Sequence, residues 1–351
     1  MPSRSPETEV LLHCARQRIT ELGASRVAEL CANQDFRWQG LHRMAKSQRI
    51  APLVWTHLSR IAGDRVPTQL GEQWKAANMR NMLVTEHRAR IMQRIFEFLG
   101  SRSIRVMLVK GAALDATVYD QPWYTQSADV DLLAEVPYKV LSRDEKIELN
   151  AISEGVPFEL QFARHHDLDM NHVLGLDYPR IWRDAQPFTF RGHQTYIMSP
   201  EDMLLSACIN LCRKRFRQLK EMASVNELIG SQTKLNWAKL AVNALECGSS
   251  RIVYASLAVA RLLLGCEIPN RIGQDLRIGW LRRLAIQRLS SSLCQSLFQI
   301  PAPNREPWTE YLASGILRLS SYHSYQFIRE VQATTAVRRE KEHLLESEVR
   351  I

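Results

Sequence analysis

The sequence predicts an α+β protein, helical over most of its length, with one small mixed sheet embedded between helical segments. Two observations predict it. Apolar residues recur at helical spacing from Glu9 to about Arg102 and again after Ser199, whereas between Ile104 and Met198 the chain breaks into short apolar runs of strand length. Three segments follow: an N-terminal helical segment over 1–103, a sheet-bearing core over 104–198 and a C-terminal helical domain over 199–351.

Taken in order, Val10, Leu11, Cys14, Ile19 and Leu22 mark the first helical face, and the run from Trp74 to Leu99 predicts a long helix bracing the sheet. Ile104-Arg105-Val106-Met107-Leu108-Val109 reads as a buried strand, followed without a spacer by Lys110-Gly111-Ala112 and a short helix from Leu114 to Tyr119. Backbone amides at such a strand-to-helix turn are open to phosphate oxygens. A second strand opens with Asp129-Val130-Asp131. Lys146 to Ile152 alternates and is expected to be a strand, Glu154-Gly155-Val156 a turn, and Phe158 to Phe162 a further strand completing a hairpin. Gln186–Phe190 and His193–Met198 form an extended pair, after which Ser199 caps a helix with Pro200 at its first position and Asp202 three residues after the cap. Helices are expected to continue to about Leu345, the Val337-Arg338-Arg339-Glu340-Lys341-Glu342 stretch forming an exposed helix end.

The chemistry concentrates on the strands. On a strand successive side chains face opposite ways, so Asp129 and Asp131 project together while Val130 and Leu132 point into the body of the domain. Two carboxylates so placed offer hard oxygens to a divalent cation, as phosphoryl and nucleotidyl transfer require. In Phe158-Glu159-Leu160-Gln161-Phe162 the apolar residues share one face and Glu159 takes the other. With this strand beside that of Asp129 and Asp131, three carboxylates converge and two metal ions can be held near a triphosphate. Glu148 and Glu154 are close enough in sequence to replace Glu159 if the register shifts by a strand.

With 351 residues, 45% of them hydrophobic, the chain is long and apolar enough to bury a core. No run approaches the ~20 apolar residues of a membrane-spanning helix, and the first residues lack the apolar core of a secretory signal, so a cytoplasmic protein without membrane partners is expected. The net charge of +9 favours polyanionic partners, a nucleotide or an RNA, although no RNA-recognition aromatic signature, helix-turn-helix or zinc-finger spacing accompanies it. The densest basic run, Arg213 to Lys220, offers Arg213 and Lys214 as cations for a triphosphate. Seven scattered cysteines are expected as reduced thiols, and no Gly-x-Ser-x-Gly elbow is present. The cluster His165-His166-Asp167-Leu168-Asp169-Met170-Asn171-His172 offers a competing zinc site but has no cysteine nearby.

Taken together, Lys110-Gly111-Ala112-Ala113-Leu114, Tyr119, Asp129-Val130-Asp131-Leu132-Leu133, Phe158-Glu159-Leu160, Ile181-Trp182 and Ser199-Pro200-Glu201-Asp202 resemble a bacterial, largely uncharacterised nucleotidyltransferase family of the DNA polymerase beta type superfamily. The resemblance spans roughly residues 35 to 270. It implies a polymerase-beta-type sheet and transfer of a nucleoside monophosphate from ATP or another nucleoside triphosphate to an acceptor: a small molecule, an RNA or a protein. It further implies magnesium, two ions or manganese in their place, held by Asp129, Asp131 and Glu159 as the catalytic set, with Lys110, Gly111 and Ala112 at the nucleotide. Three departures stand out. Thr125 occupies the place of an arginine, Ser224 that of an aspartate, and the interval from Ala134 to Phe158 is short enough that the helix usual there is expected to be lost. These departures support an alternative: a catalytically degenerate relative that binds nucleotide, RNA or a protein partner through a basic cleft.

Overall fold

A computed structural model of the chain describes residues 4–127, 129–135, 141–162, 176–231 and 235–296. The zinc-like cluster His165 to His172 and the expected helices beyond Ser296 lie outside the described residues.

Four helices begin the chain: α1 (Pro6–Cys14), α2 (Glu21–Cys31), α3 (Trp38–Ser47) and α4 (Ala51–Ile61). Local chemistry starts them. Ser5 Oγ accepts from Thr8 N ahead of Pro6, and Thr20 Oγ1 accepts from Gly23 N, each satisfying an amide that the helix leaves open. Then α5 (Thr68–Gly100) runs for 33 residues, about 50 Å, burying Trp74, Ile91, Ile95 and Leu99 on its inner face.

The sheet has five strands in the order β3-β2-β1-β5-β4, with β1 (Val106–Leu108), β2 (Val130–Ala134), β3 (Phe158–Phe162), β4 (Gln186–Phe190) and β5 (His193–Ile197). It is mixed: β1 runs antiparallel to β2 and parallel to β5, and β3 runs parallel to β2. Every residue of β1 and β2 is buried, as expected of central strands covered on both faces. Between β4 and β5 the chain turns through Arg191 and Gly192 at φ 48° and 88°, the left-handed pair that a two-residue hairpin needs.

Two expectations change here. Residues 146–152 are not a strand but belong to α7 (Arg143–Ile152), which joins β2 to the parallel β3, so no hairpin precedes Glu159 and the connecting helix is present, not lost. The start signal outweighs the alternation. Ser142 Oγ accepts from Glu145 N while the Glu145 carboxylate accepts from Ser142 N, a reciprocal cap. Leu149 then packs inward and Ile147, read as a strand residue, is 59% exposed. The short helix after β1 also begins earlier than expected, as α6 (Lys110–Thr117).

After β3 come α8 (Tyr178–Arg183), the β4–β5 hairpin, α9 (Pro200–Arg213), α10 (Leu219–Ser231), α11 (Trp237–Glu246), α12 (Ser250–Leu264), α13 (Ile272–Asp275) and α14 (Trp280–Ser296). The Ser199-Pro200-Glu201-Asp202 start of α9 is a buried junction. Asp202, fully buried, accepts from Arg180 Nη2, from Asn243 Nδ2 and from Ser199 Oγ, each at 2.9 Å, tying α8 and α11 to α9. Glu201 Oε1 accepts from Asn236 N just before α11.

One apolar core runs from Leu11 through Leu108 to Leu257, and cross-links fasten the ends of the described chain together. Arg16 Nη2 donates to Leu264 O, and Gln17 bonds both Glu227 and Val118 O. The seven cysteines are free thiols, with burial pushing Cys31 and Cys212 up to about 12. No described helix is long and apolar enough to cross a membrane.

Candidate active site

The site forms where β1 ends. Val109 is extended, and Lys110 takes φ 50°, a left-handed conformation rare for a side-chain-bearing residue, which swings the chain directly into α6. The amides of the first turn of α6 are left with no side-chain cap in place. Gly111 is required by proximity. A Cβ at Gly111 would stand 2.9 Å from Ser127 Oγ, inside ordinary contact distance.

Asp129 precedes β2 and is exposed, whereas Asp131 lies within β2 and is 7% exposed. Val130 and Leu132 are buried in the core, so the pair divides between cleft and core as the alternation requires. Lys110 Nζ donates to Asp131 Oδ1 at 2.6 Å. In the parallel β2–β3 register Glu159 is the direct partner of Asp131, so the strand carrying it does lie beside the aspartates. Glu148 and Glu154 do not replace it: Glu148 pairs with Arg102 and Glu154 with Arg94.

Lys110, Gly111, Asp129 and Asp131 line one cleft of about 120 Å³. Lys214 lines it too, and Arg213 lines a small adjoining cavity with Lys110 and Asn210. Arg213 ends α9 and Lys214 opens the turn to α10, where Arg215 and Phe216 take left-handed φ values of 56° and 51°. Ala112 faces away from this cleft, into a second cavity.

Three cleft residues escaped the sequence reading. Lys220, the last of the basic run, donates to Gln126 O at 2.9 Å and Ser127 Oγ at 2.8 Å, and burial pulls its ammonium pKa down. Arg49 joins it from the turn after α3, 61 residues upstream of Lys110. The same corner fixes both, since Gln48 Oε1 accepts from Leu219 N, Gln48 O from Lys220 N and Arg49 O from Gln126 N. Glu221 is the third: its Oε2 is buried without a hydrogen-bond partner, and burial pushes its carboxyl up against the pull of Lys220. Only the density of the basic run hinted at Lys220, and no local pattern marks Arg49.

The departures acquire physical content. Thr125 is buried, its Oγ1 donating to Asp115 Oδ1 at 3.5 Å, while Arg49 and Lys220 bring positive charge to the cleft. Ser224 stands on the cleft wall, its Oγ donating to Lys220 O and lying 3.5 Å from Tyr119 Oη. Asp115 is raised to about 6 by burial, against the charges of Arg88 and Lys220 and the bond from Thr125.

The donor set suits a hard divalent cation, since Asp129 and Asp131 offer carboxylate oxygens to one cleft. Among the described residues no cluster of three or more His, Cys, Asp or Glu side chains stands close enough to hold a metal ion.

The sequence model of a family described as "Uncharacterised nucleotidyltransferase" matches residues 34–265. No curated protein and no solved structure matches the chain. The match runs from the turn before α3 to the left-handed Gly265 that ends α12, and takes in the whole sheet, the cleft and the helices around it. The chain belongs to this uncharacterised nucleotidyltransferase family.

Proposed function

We propose that the protein moves a nucleoside monophosphate from a nucleoside triphosphate to an acceptor hydroxyl in the Asp129–Asp131 cleft. One observation carries this reading: three carboxylates, Asp129, Asp131 and Glu221, and four cations, Arg49, Lys110, Lys214 and Lys220, line one cleft at an uncapped helix start. Asp129 and Asp131 are the residues that would hold magnesium, with Glu159 beside them in register, and the bound ions would neutralise charge developing on the triphosphate.

The chain's own residues do the rest. Gly111 offers its backbone amide to phosphate oxygens, and Lys220, fixed by Ser127 and Gln126, supplies a preorganised positive charge. Lys110 holds Asp131 in place. The acceptor oxygen bonds to the α-phosphorus, the bridging bond to the β-phosphate breaks, and pyrophosphate leaves with the electron pair. Glu159 takes the acceptor's proton.

The test incubates purified protein with magnesium, each α-labelled nucleoside triphosphate in turn and a cell extract, beside an Asp129→Asn, Asp131→Asn double variant. Transfer by wild type and loss of at least about a hundredfold in the variant, with an unchanged thermal melt, is the expected result. Equal transfer by both proteins would refute the assignment.

A second reading has its own observation: the 2.6 Å Lys110–Asp131 contact places a cation of the chain at a carboxylate the first reading gives to magnesium. A degenerate binder of this kind would hold ATP equally well in magnesium and in chelator and transfer no label.

A further inference from the structure

Asp129 belongs to two cavities. On its other side lies a space of about 570 Å³, within the range of small-molecule sites, and Asp129 is the single residue that lines both this space and the cation-rich cleft among the described residues. The two differ in chemistry. The larger one is walled by Met79, Met82, Leu83 and Met92 of α5, by Trp123 and by Phe190 of β4.

Its charges come in pairs. Arg191 Nη1 donates to Glu86 Oε1 at 2.9 Å, and Arg88 lies 3.5 Å from Asp115. Every cation among the described lining residues therefore already faces a carboxylate, which leaves a phosphate backbone nothing to neutralise. Flexible methionine side chains along the wall suit an apolar body of irregular outline. At the mouth Met79 and Leu83 are 57% and 64% exposed, apolar surface that a bound molecule would take from water.

We infer that this cavity receives the acceptor, and that the acceptor is a small, uncharged molecule with an apolar body and a hydroxyl presented at Asp129. The assignment rests on the nucleotidyl-transfer reading and names its second substrate. The step balances as written above: the acceptor hydroxyl becomes the phosphodiester oxygen, its proton goes to the carboxylate and pyrophosphate departs.

The experiment has two arms on the full chain. In the first, N-phenyl-1-naphthylamine, an uncharged apolar fluorophore, is titrated into wild type, Leu83→Glu and Ala116→Trp. Saturable binding weakened about tenfold or more by each variant, with magnesium-ATP affinity kept within about twofold, is expected. Leu83 is solvent-facing, so its variant folds even if Ala116→Trp does not. In the second arm, α-labelled nucleotide is offered with the solvent-extractable small molecules, the RNA and the protein of a cell extract separately. Label in the small-molecule fraction, lost in Leu83→Glu, supports the inference. Label in ribonuclease- or protease-sensitive material, transfer indifferent to Leu83→Glu, or no fluorophore uptake overturns it while nucleotidyl transfer stands. No label in any fraction overturns nucleotidyl transfer and the acceptor assignment together.

Discussion

At Gly111 the cleft leaves no room for a side chain. Ser127 Oγ would sit 2.9 Å from an added Cβ, and it cannot retreat without leaving Lys220 Nζ, 2.8 Å away. Gly111→Ala is therefore expected to weaken ATP binding about tenfold while lowering Tm by only a few degrees, because the strain falls on a loop and one lysine instead of the core. Calorimetric titration beside a thermal melt checks it, and unchanged affinity would remove Lys220 from the nucleotide site. Asp115 supports a prediction in pH. Its carboxyl ionises near 3.8 in the unfolded chain and at about 6 in the buried pocket, so between those values the folded protein keeps a proton that the unfolded chain has lost. This group's contribution to stability falls as pH rises across that window, by about 3 kcal/mol in all. Asp115→Asn should flatten that part of the profile in urea unfolding measured from pH 4 to 7. A slope unchanged by the substitution would mean that the carboxyl titrates normally. Of these residues, Asp129 and Asp131 were legible because a two-residue spacing on a strand carries its own geometry. Arg49 and Glu221 were not, since their places depend on packing between helices far apart in sequence.

Among the elements, the start of α9 was legible to the residue, and the reason is local: Ser199, Pro200 and Asp202 make a helix start within four consecutive residues. The same class of signal was present at Ser142 and Glu145 but went unread beside the accidental alternation of Ile147 and Leu149. A reciprocal cap fixes backbone hydrogen bonds, whereas a two-residue rhythm over seven residues fits either periodicity, so the cap is the stronger signal. That helix matters to the site, because the β2–α7–β3 crossover is what brings β3 parallel to β2 and Glu159 level with Asp131. The cap motif of α9 also does more than begin a helix. With Asp202 removed, Arg180 would keep only the more exposed Glu246, 3.4 Å away, so Asp202→Ala is expected to cost about 3 kcal/mol in chemical denaturation. A cost below about 1 kcal/mol would show that water reaches the junction.

For the molecule as a whole, the family match begins at residue 34, yet α1 and α2 are not an appendage. Val10, Leu11, Cys14 and Ala15 are fully buried, and Arg16 and Gln17 reach α12, α10 and the end of α6. Deleting residues 1–33 should therefore lower Tm by more than about 10 °C or yield insoluble protein, as thermal melts of the truncated and full chains would test. A truncated chain that melts with the full one would make these helices dispensable. Little of this closure was legible, because the first helical faces announce that they are buried without announcing against what. The long α5 carries a different consequence. One end of the rod meets the sheet through the Phe96–Phe190 ring contact, while Met79, Met82, Leu83 and Glu86, a turn apart on one face, line the apolar cavity. A lineage can therefore rewrite those few positions and change what this cavity accepts while Asp129, Asp131, Gly111 and the lysines of the neighbouring cleft stay untouched, so that divergence of relatives should be fastest along this face.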